Sequence, residues 1–518
     1  MRSEGKHPTK EIYQQLRKLS CEQLWEKEVT AFDKATPRER MDRVALVRAV
    51  GVVFSESGTS EQKTEVRTWL RSLLKDPNEK IRRYAMGALP KIGAGTGEET
   101  ELLSLLKTTT EERERKFLGK ALDKIGGEAT LEVMESEGGA LPQQKVRASV
   151  ARSQSPSEVR MDSVFSNTDG LRIHLRGRMG LEEIVRDEVE AAAKKHGKFK
   201  VTSFSAGLVE LIPLAPFSLG DLYALRCFGT VGFVIGLIPT SDEAAFVEAI
   251  AGAIASPLSG SLMEIFTKGS IRYRLDFVAR GHQRGAVRLV ADRAYALEPA
   301  ILNDAQNAPW AVDVHPKGRG TSVELRPRLS PDPRFAYRRA DVPAASHPPL
   351  AACMANIAGK MEDEIVWDPF CGSGLELIER SLLGGVKKVF GTDRSAEAIA
   401  ITQENFGAAR VKSVETHFIC SDFRDYATVK GLEPGSVSLI ITNPPLGKRV
   451  PIRNLDRLFY DLFSIASKML KPGGRFVFAN PMPIKPQDAT LKQEFRQVVD
   501  FGGFDCHLEM YRKSGRSG

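Results

Sequence analysis

The sequence predicts a multidomain chain in three parts: an α-helical N-terminal array, an α+β middle unit and a C-terminal α/β unit with a parallel sheet. Three observations predict this. Apolar residues recur at helical spacing up to about residue 135. In the middle, strands with alternating patterns mix with amphipathic helices, the strictest alternation falling over Ser270–Val278. Beyond about residue 336, short hydrophobic runs alternate with helical stretches, the pattern of βα units. The length of 518 residues fits about three domains. The expected boundaries are a helical domain at 1–137, a linker at 138–169, a middle domain at 170–335 and an α/β domain at 336–518.

The helical part is carried by Val44–Val53 and Val66–Leu74. Leu73-Leu-Lys75 leads to Lys91-Ile-Gly93, and Leu105-Leu-Lys107 leads to Lys124-Ile-Gly126. This weak repeat, offset by about 32 residues, lies in the range of paired-helix arrays of the HEAT type; a plain small helical bundle is the alternative. Stacked helix pairs expose one broad face, so a protein partner is expected there. Gly138-Gly139, Pro142 and Ser153-Gln-Ser-Pro156 mark the linker.

In the middle, Arg172–Arg176 reads as a strand and Gly180–Glu190 as a helix. Two strands follow around Ser205-Ala-Gly207, then helices over Leu219–Cys227 and Asp242–Ile254, then the strands Ser270–Val278 and Thr321–Pro327. Between Gly260 and Ala340 arginine outnumbers lysine and bases outnumber acids. Arginine contacts phosphate in a bidentate manner. Arg272, Arg274, Arg280, Arg284 and Arg288 are therefore expected to grip a phosphate backbone, with Arg272 and Arg274 on one strand face.

The C-terminal part centres on Ile365–Gly374 and Ile440–Arg449. A strand ending in Asp368 runs into a turn with Gly372 and Gly374, which places backbone N–H groups and a helix N-terminus beside a ligand. The third glycine of a dinucleotide fingerprint is absent, as is the lysine of a phosphate-cradling loop. The next strand ends at Asp393, about 20 residues on, where a ribose-binding acid belongs. Later strands end at Asp422 and Asn443. Such strand ends converge on one edge of a parallel sheet, where ligands bind.

Asp368-Pro-Phe-Cys-Gly-Ser-Gly374 followed by Asn443-Pro-Pro-Leu446-Gly resembles the class I S-adenosylmethionine-dependent methyltransferases that act on exocyclic base nitrogens, and most of all the THUMP-containing RNA guanine-N2 methyltransferases. The resemblance is strong from about Arg338 onward and weaker before it. It implies a Rossmann-like catalytic domain preceded by a THUMP-like, partly ferredoxin-like RNA-binding domain. It assigns the homocysteine side of the cofactor to Asp368, Gly372 and Gly374, the ribose to Asp393, and the adenine to Asp422 and Phe423, with Phe370 also contacting the cofactor. His347, in Ser346-His347-Pro348, and Asn443 would also contact the cofactor. Asn443, Pro444, Pro445 and Leu446 would form the catalytic loop, with the Asn443 side-chain oxygen and the Pro444 carbonyl accepting from the target amine. Lys448 and Arg449 would steady a neighbouring phosphate. The family usually carries an aromatic residue where this chain has Leu446.

The implied activity is methyl transfer to guanosine N2 in RNA, with tRNA favoured. Alternatives are an rRNA guanine-N2 enzyme, a DNA adenine-N6 enzyme and a non-catalytic RNA-binding assembly protein. A net charge of +8 suits a polyanionic partner. No C-x-x-C pair occurs among the six cysteines, so neither a metal site nor a disulfide framework is indicated. The polar N-terminus opens no signal peptide, and Val231–Ile238 is too short to span a bilayer. The expectation is a cytoplasmic monomer without membrane association.

Overall fold

The computed structural model describes residues 8–93, 95–137, 143–239, 243–278, 283–317, 320–343, 345–447 and 454–515. In the helical N-terminal part, Ala45–Ser57, Glu79–Ala88 and Glu112–Ile125 pack one on the next. Ser60–Leu73, Thr96–Thr108 and Glu128–Glu137 lie alongside them. Gly51 permits the first crossing, because a Cβ there would sit 2.6 Å from the Ala88 Cβ. Thr59 and Gln62 form a capping box at the start of Ser60–Leu73. Buried Glu99 accepts from Gly127 and Thr130 N–H, both at 2.7 Å, and so caps Glu128–Glu137.

The expected linker is structured where it is described. Gln143–Gln154 is a helix packed on Glu112–Ile125 and on the strand Leu302–Asn303. Arg152 pairs with Asp304 at 2.9 Å, and Glu158–Val159 pairs antiparallel with Thr267–Lys268. Its Gly/Pro/Ser punctuation reads locally as linker, whereas Asp304 and Thr267–Lys268, which hold it to the middle unit, lie more than a hundred residues away.

The middle unit is an eight-stranded sheet in the order Leu302–Asn303, Arg272–Phe277, Trp310–Lys317, Gly320–Pro327, Thr230–Pro239, Ile173–Arg176, Leu208–Pro213, Phe199–Ser205. The first two pairings are parallel and the rest antiparallel. The expected Leu219–Cys227 helix shrinks to Leu219–Tyr223. Pro257–Ile265 and Arg284–Leu297 add helices that the pattern did not suggest. No single helix among the described residues is long and apolar enough to cross a membrane.

The C-terminal sheet has seven strands in the order Glu415–Cys420, Val386–Asp393, Glu364–Asp368, Val437–Thr442, Leu470–Asn480, Asp505–Lys513, Leu491–Asp500. The first five are parallel and the last two antiparallel. Every residue of Val437–Thr442 is buried, as expected of a strand covered on both faces. The chain order reverses between Glu364–Asp368 and Val437–Thr442, so Asp368 and Asn443 flank the switch point where such sheets bind ligands.

The middle and C-terminal units are joined closely. Arg226 forms a two-point ion pair with Glu379 at 2.7 and 2.8 Å, and Tyr337 OH donates to the same carboxylate. Gly180, at φ +92°, rests on Val498 with no room for a Cβ. Asp500 N–H donates to the Met179 carbonyl at 3.0 Å, and Arg178 Nη1 donates to the Asp500 carbonyl at 2.9 Å.

Candidate active site

The turn after Glu364–Asp368 demands left-handed backbone at two points. Gly372 has φ +53° and Gly374 has φ +82°, where a side chain is strained. A Cβ on Gly374 would also meet Thr402 at 2.9 Å. The turn is tied from behind. Thr402 Oγ1 donates to the Gly372 carbonyl at 2.8 Å, and Asn405 Nδ2 donates to the Ser373 carbonyl at 2.9 Å. Asn405 Oδ1 accepts from Arg339 N–H, which anchors the segment leading to Ser346 and His347. Asp393 accepts from Gly372 N–H at 3.1 Å and Ser395 N–H at 2.9 Å, so its carboxylate is held before any ligand arrives.

These elements enclose a cavity of about 610 Å³. Of the expected residues, His347, Phe370, Gly372, Asp393, Asp422, Phe423, Asn443, Pro444, Pro445 and Leu446 line it. Phe370 and Phe423 make an aromatic wall, ring centroids 4.9 Å apart. The Arg424 guanidinium lies 4.6 Å over Phe423 and also pairs with Asp422.

Asp368 and Gly374 do not line the cavity. Asp368 is fully buried beneath the turn and accepts from Phe370 N–H at 3.0 Å. Burial, and then nearby Glu376, push its carboxyl well above the usual range. Its part is to shape the turn, as is that of Gly374. The sequence shows where a strand ends, not how deeply that end is covered.

Asn443 is placed by a chain of hydrogen bonds. Its Nδ2 donates to Ser346 Oγ at 2.8 Å, and Ser346 in turn donates to Glu376, in the first turn of the Leu375–Leu382 helix. Because the Ser346 hydroxyl donates to Glu376, it accepts from the Asn443 amino group. The Asn443 side-chain oxygen is thereby left buried with no protein partner. A buried unpaired acceptor is costly unless something fills it. Glu376 was not expected from the sequence, where an acid in a first helical turn signals only a favourable dipole contact. Arg178, Phe501 and Phe504 also line the cavity. They come from distant segments and carry no local signal.

His347 reaches solvent at the cavity rim. Desolvation by the crowded wall, followed by the Arg178, Arg338 and Arg334 cations, pushes its imidazole down to about 4. Between pH 6.5, the ordinary value, and about 4, the folded state then takes up this proton less readily than the unfolded chain. Stability is lost on acidification through that window. His347→Gln should flatten that part of a curve of denaturant midpoint against pH; an unchanged slope would contradict the shift.

The expected phosphate-gripping arginines divide. Arg272 is buried and is corrected to a structural role: its Nη1 donates to Asp304 at 2.9 Å and its Nε to Ser157 at 3.0 Å. Its acid partner lies 32 residues away, out of sight of local charge patterning. Arg274 pairs with Asp276 on a half-exposed surface. Arg284 and Arg288 are exposed on the Arg284–Leu297 helix, Arg288 in a loose pair with Asp292 at 3.4 Å. Arg280, Lys448 and Arg449 lie outside the described residues.

Comparison with known proteins agrees with this architecture. Residues 336–509 match the family described as UPF0020, the RMKL-like methyltransferase domain. The tRNA (guanine(10)-N2)-dimethyltransferase of Methanocaldococcus jannaschii is 29% identical over 179 residues, 33% of this chain and 47% of that protein. The enzyme of the same name from Methanothermobacter thermautotrophicus is 31% identical over 141 residues, 27% of this chain and 39% of that protein. The chain thus spans about half or less of the length of these relatives. The crystal structure of TrmN from Thermus thermophilus superposes with a TM-score of 0.52 at 20% identity, over 66% of this chain and 99% of that one. The likeness is one of fold, and the C-terminal unit is a class I methyltransferase-like α/β domain.

Proposed function

We propose that this chain is an S-adenosylmethionine-dependent RNA methyltransferase that modifies the exocyclic N2 of guanosine, in tRNA. The observation that carries this reading is the Asn443 side-chain oxygen, buried, unpaired and held by Ser346 and Glu376 at the switch point of the sheet. The two relatives named as tRNA guanine-N2 dimethyltransferases support the substrate class. On this reading the middle unit is THUMP-like and binds RNA, the N-terminal helices are a HEAT-like array, and the protein works as a cytoplasmic monomer.

The cavity suits the cofactor. The Gly372 backbone approaches without a side chain, Asp393 is pre-held for a ribose diol, and Asp422 with Phe370 and Phe423 offers an acceptor and aromatic faces for adenine. When bound, S-adenosylmethionine supplies an electrophilic methyl group.

The residues of the chain deal with the nucleophile. A guanine amine is sluggish because its lone pair is delocalised into the ring. Asn443 Oδ1 and the Pro444 carbonyl accept its two N–H bonds and turn the lone pair toward the methyl donor. Pro444 and Pro445 stiffen the loop and add no competing N–H. Rate then comes mainly from orientation of two bound partners. The base must leave its stack to enter. Leu446 presses on it by dispersion, without the aromatic stacking of about 1–3 kcal/mol.

Incubation with labelled S-adenosylmethionine and total RNA or DNA tests the reading. Label in the tRNA fraction as N2-methylguanosine is the expected result. Label in DNA alone, or in neither with no calorimetric binding of the cofactor, would overturn it.

A further inference from the structure

The helical N-terminal unit contains a feature that the catalytic reading leaves unused. Residues 8–137 hold equal numbers of acidic and basic side chains, so the unit has no overall basic bias. The charges are nevertheless sorted. The helix Ala45–Ser57 is buried nearly throughout, yet Arg48 stands exposed between buried Val47 and Ala49. Its guanidinium lies 4.4 Å over the Tyr13 ring. On the next helix, Glu79–Ala88, Tyr84 and Gly87 follow at helical spacing, Gly87 facing open space, and Lys91 ends the 3-10 turn Leu89–Lys91 that continues it. On the third, Phe117, Lys120 and Lys124 follow at helical spacing, with Lys120 5.4 Å over Phe117.

Arg48 and Lys124 are neighbours of Lys91. Partial burial, and then Arg48, Lys124 and Arg17, hold the Lys91 ammonium below the usual lysine range. Arg17 is paired with Glu56, but Arg48, Lys91, Lys120 and Lys124 form no salt bridge among the described residues. Acids of the same helices are taken by other arginines, as in Arg82–Glu114 and Arg83–Glu79, and those of the other row pair as in Arg71–Glu101 and Arg67–Glu98. The stripe runs on. Lys145, on the helix Gln143–Gln154, pairs with Asp123, and Arg288 of the middle unit acts on the same carboxylate. It thereby reaches the helix Arg284–Leu297, which exposes Arg284 and Arg288.

With helices about 8–10 Å apart, three successive helices place the cations along about 16–20 Å. That length matches a run of backbone phosphates, not a single small anion. Unpaired like charges repel in the free protein, and they are released from that repulsion by a polyanion. We propose that this stripe, Arg48, Lys91, Lys120 and Lys124, is a second RNA-binding surface that takes the phosphate backbone of the same RNA whose target base enters the cavity. The inference rests on the RNA-methyltransferase reading above. Continuity with the middle unit favours RNA over an acidic protein segment as the occupant.

The test uses the full chain and the triple variant Arg48→Ala/Lys91→Ala/Lys124→Ala, all three positions being exposed. Binding of an unmodified tRNA transcript is followed by fluorescence anisotropy across a range of salt. The expected result is a Kd raised about tenfold or more, a log–log salt slope shallower by about 2–3, at about 0.7–0.9 for each phosphate no longer neutralised, and an unchanged kcat at saturating RNA. The charge-preserving variant Arg48→Lys/Lys91→Arg/Lys124→Arg restores binding. A wild-type protein that binds tRNA, with a variant of equal Kd and slope, overturns this inference and leaves the methyltransferase reading intact. A wild-type protein that binds no RNA defeats both. Loss of binding to polyglutamate without loss of binding to tRNA assigns the stripe to an acidic protein partner and overturns it as well.

Discussion

Asn443→Ala is expected to lower kcat for methyl transfer by about 10²–10³-fold, or about 2.7–4 kcal/mol of transition-state stabilisation. The reason lies in what the amide is left to do. One of its Nδ2 hydrogens is taken by Ser346, which fixes the amide with its unpaired oxygen toward the substrate. Alanine removes that acceptor and none of the cofactor wall formed by Phe370, Gly372, Asp393 and Phe423. Calorimetric affinity for S-adenosylmethionine should therefore stay within a few-fold of wild type. Burst kinetics with saturating tRNA would separate the chemical step from binding. Equal losses of cofactor affinity and kcat would show that Asn443 holds the pocket together and does not orient the amine.

The second large effect is expected at Glu376. Its carboxylate, accepting from Ser346, fixes which end of the Asn443 amide meets the base. Burial raises its pKa above the ordinary 4.5. Once protonated, Glu376 donates to Ser346, the chain of donors reverses, and the Asn443 amino group is turned toward the substrate. Activity should then rise with pH through the raised Glu376 value, and the acid limb should lie above that of an ordinary glutamate. Glu376→Gln offers both a donor and an acceptor, so it no longer dictates the amide orientation. A loss of about tenfold or more at neutral pH is expected, together with disappearance of the acid limb. Retention of that limb in the variant would assign it to another group.

The part of the site that was legible in the sequence is the part the fold makes unavoidable. Parallel strands joined by helices bring Asp393, Asp422 and Asn443 to one edge whatever the side chains around them, and the glycines at 372 and 374 report the left-handed turn directly. Depth was not legible. Asp368 and Asp393 end neighbouring strands with the same residue type, yet one is sealed beneath the turn and the other lines the cavity. Distant partnership was hidden in the same way. Arg272 sits in an arginine-rich strand that resembles a phosphate-binding face, but Asp304 and Ser157 consume its donors. The segment after Pro142 resembles a linker until Arg152 meets Asp304. Glu376 was missed because an acid at a helix start has a sufficient local explanation.

Arg178 belongs to the middle unit by sequence and to the cavity wall by position, pinned on the Asp500 carbonyl above Phe501. The C-terminal α/β unit is therefore not a self-contained cassette. Residues 336–518 expressed alone would have a breach where that guanidinium stands, and a chimera that grafts them onto a foreign recognition module would inherit the same gap. Modularity in this architecture ends at the loop 178–180, which must travel with whichever half is exchanged.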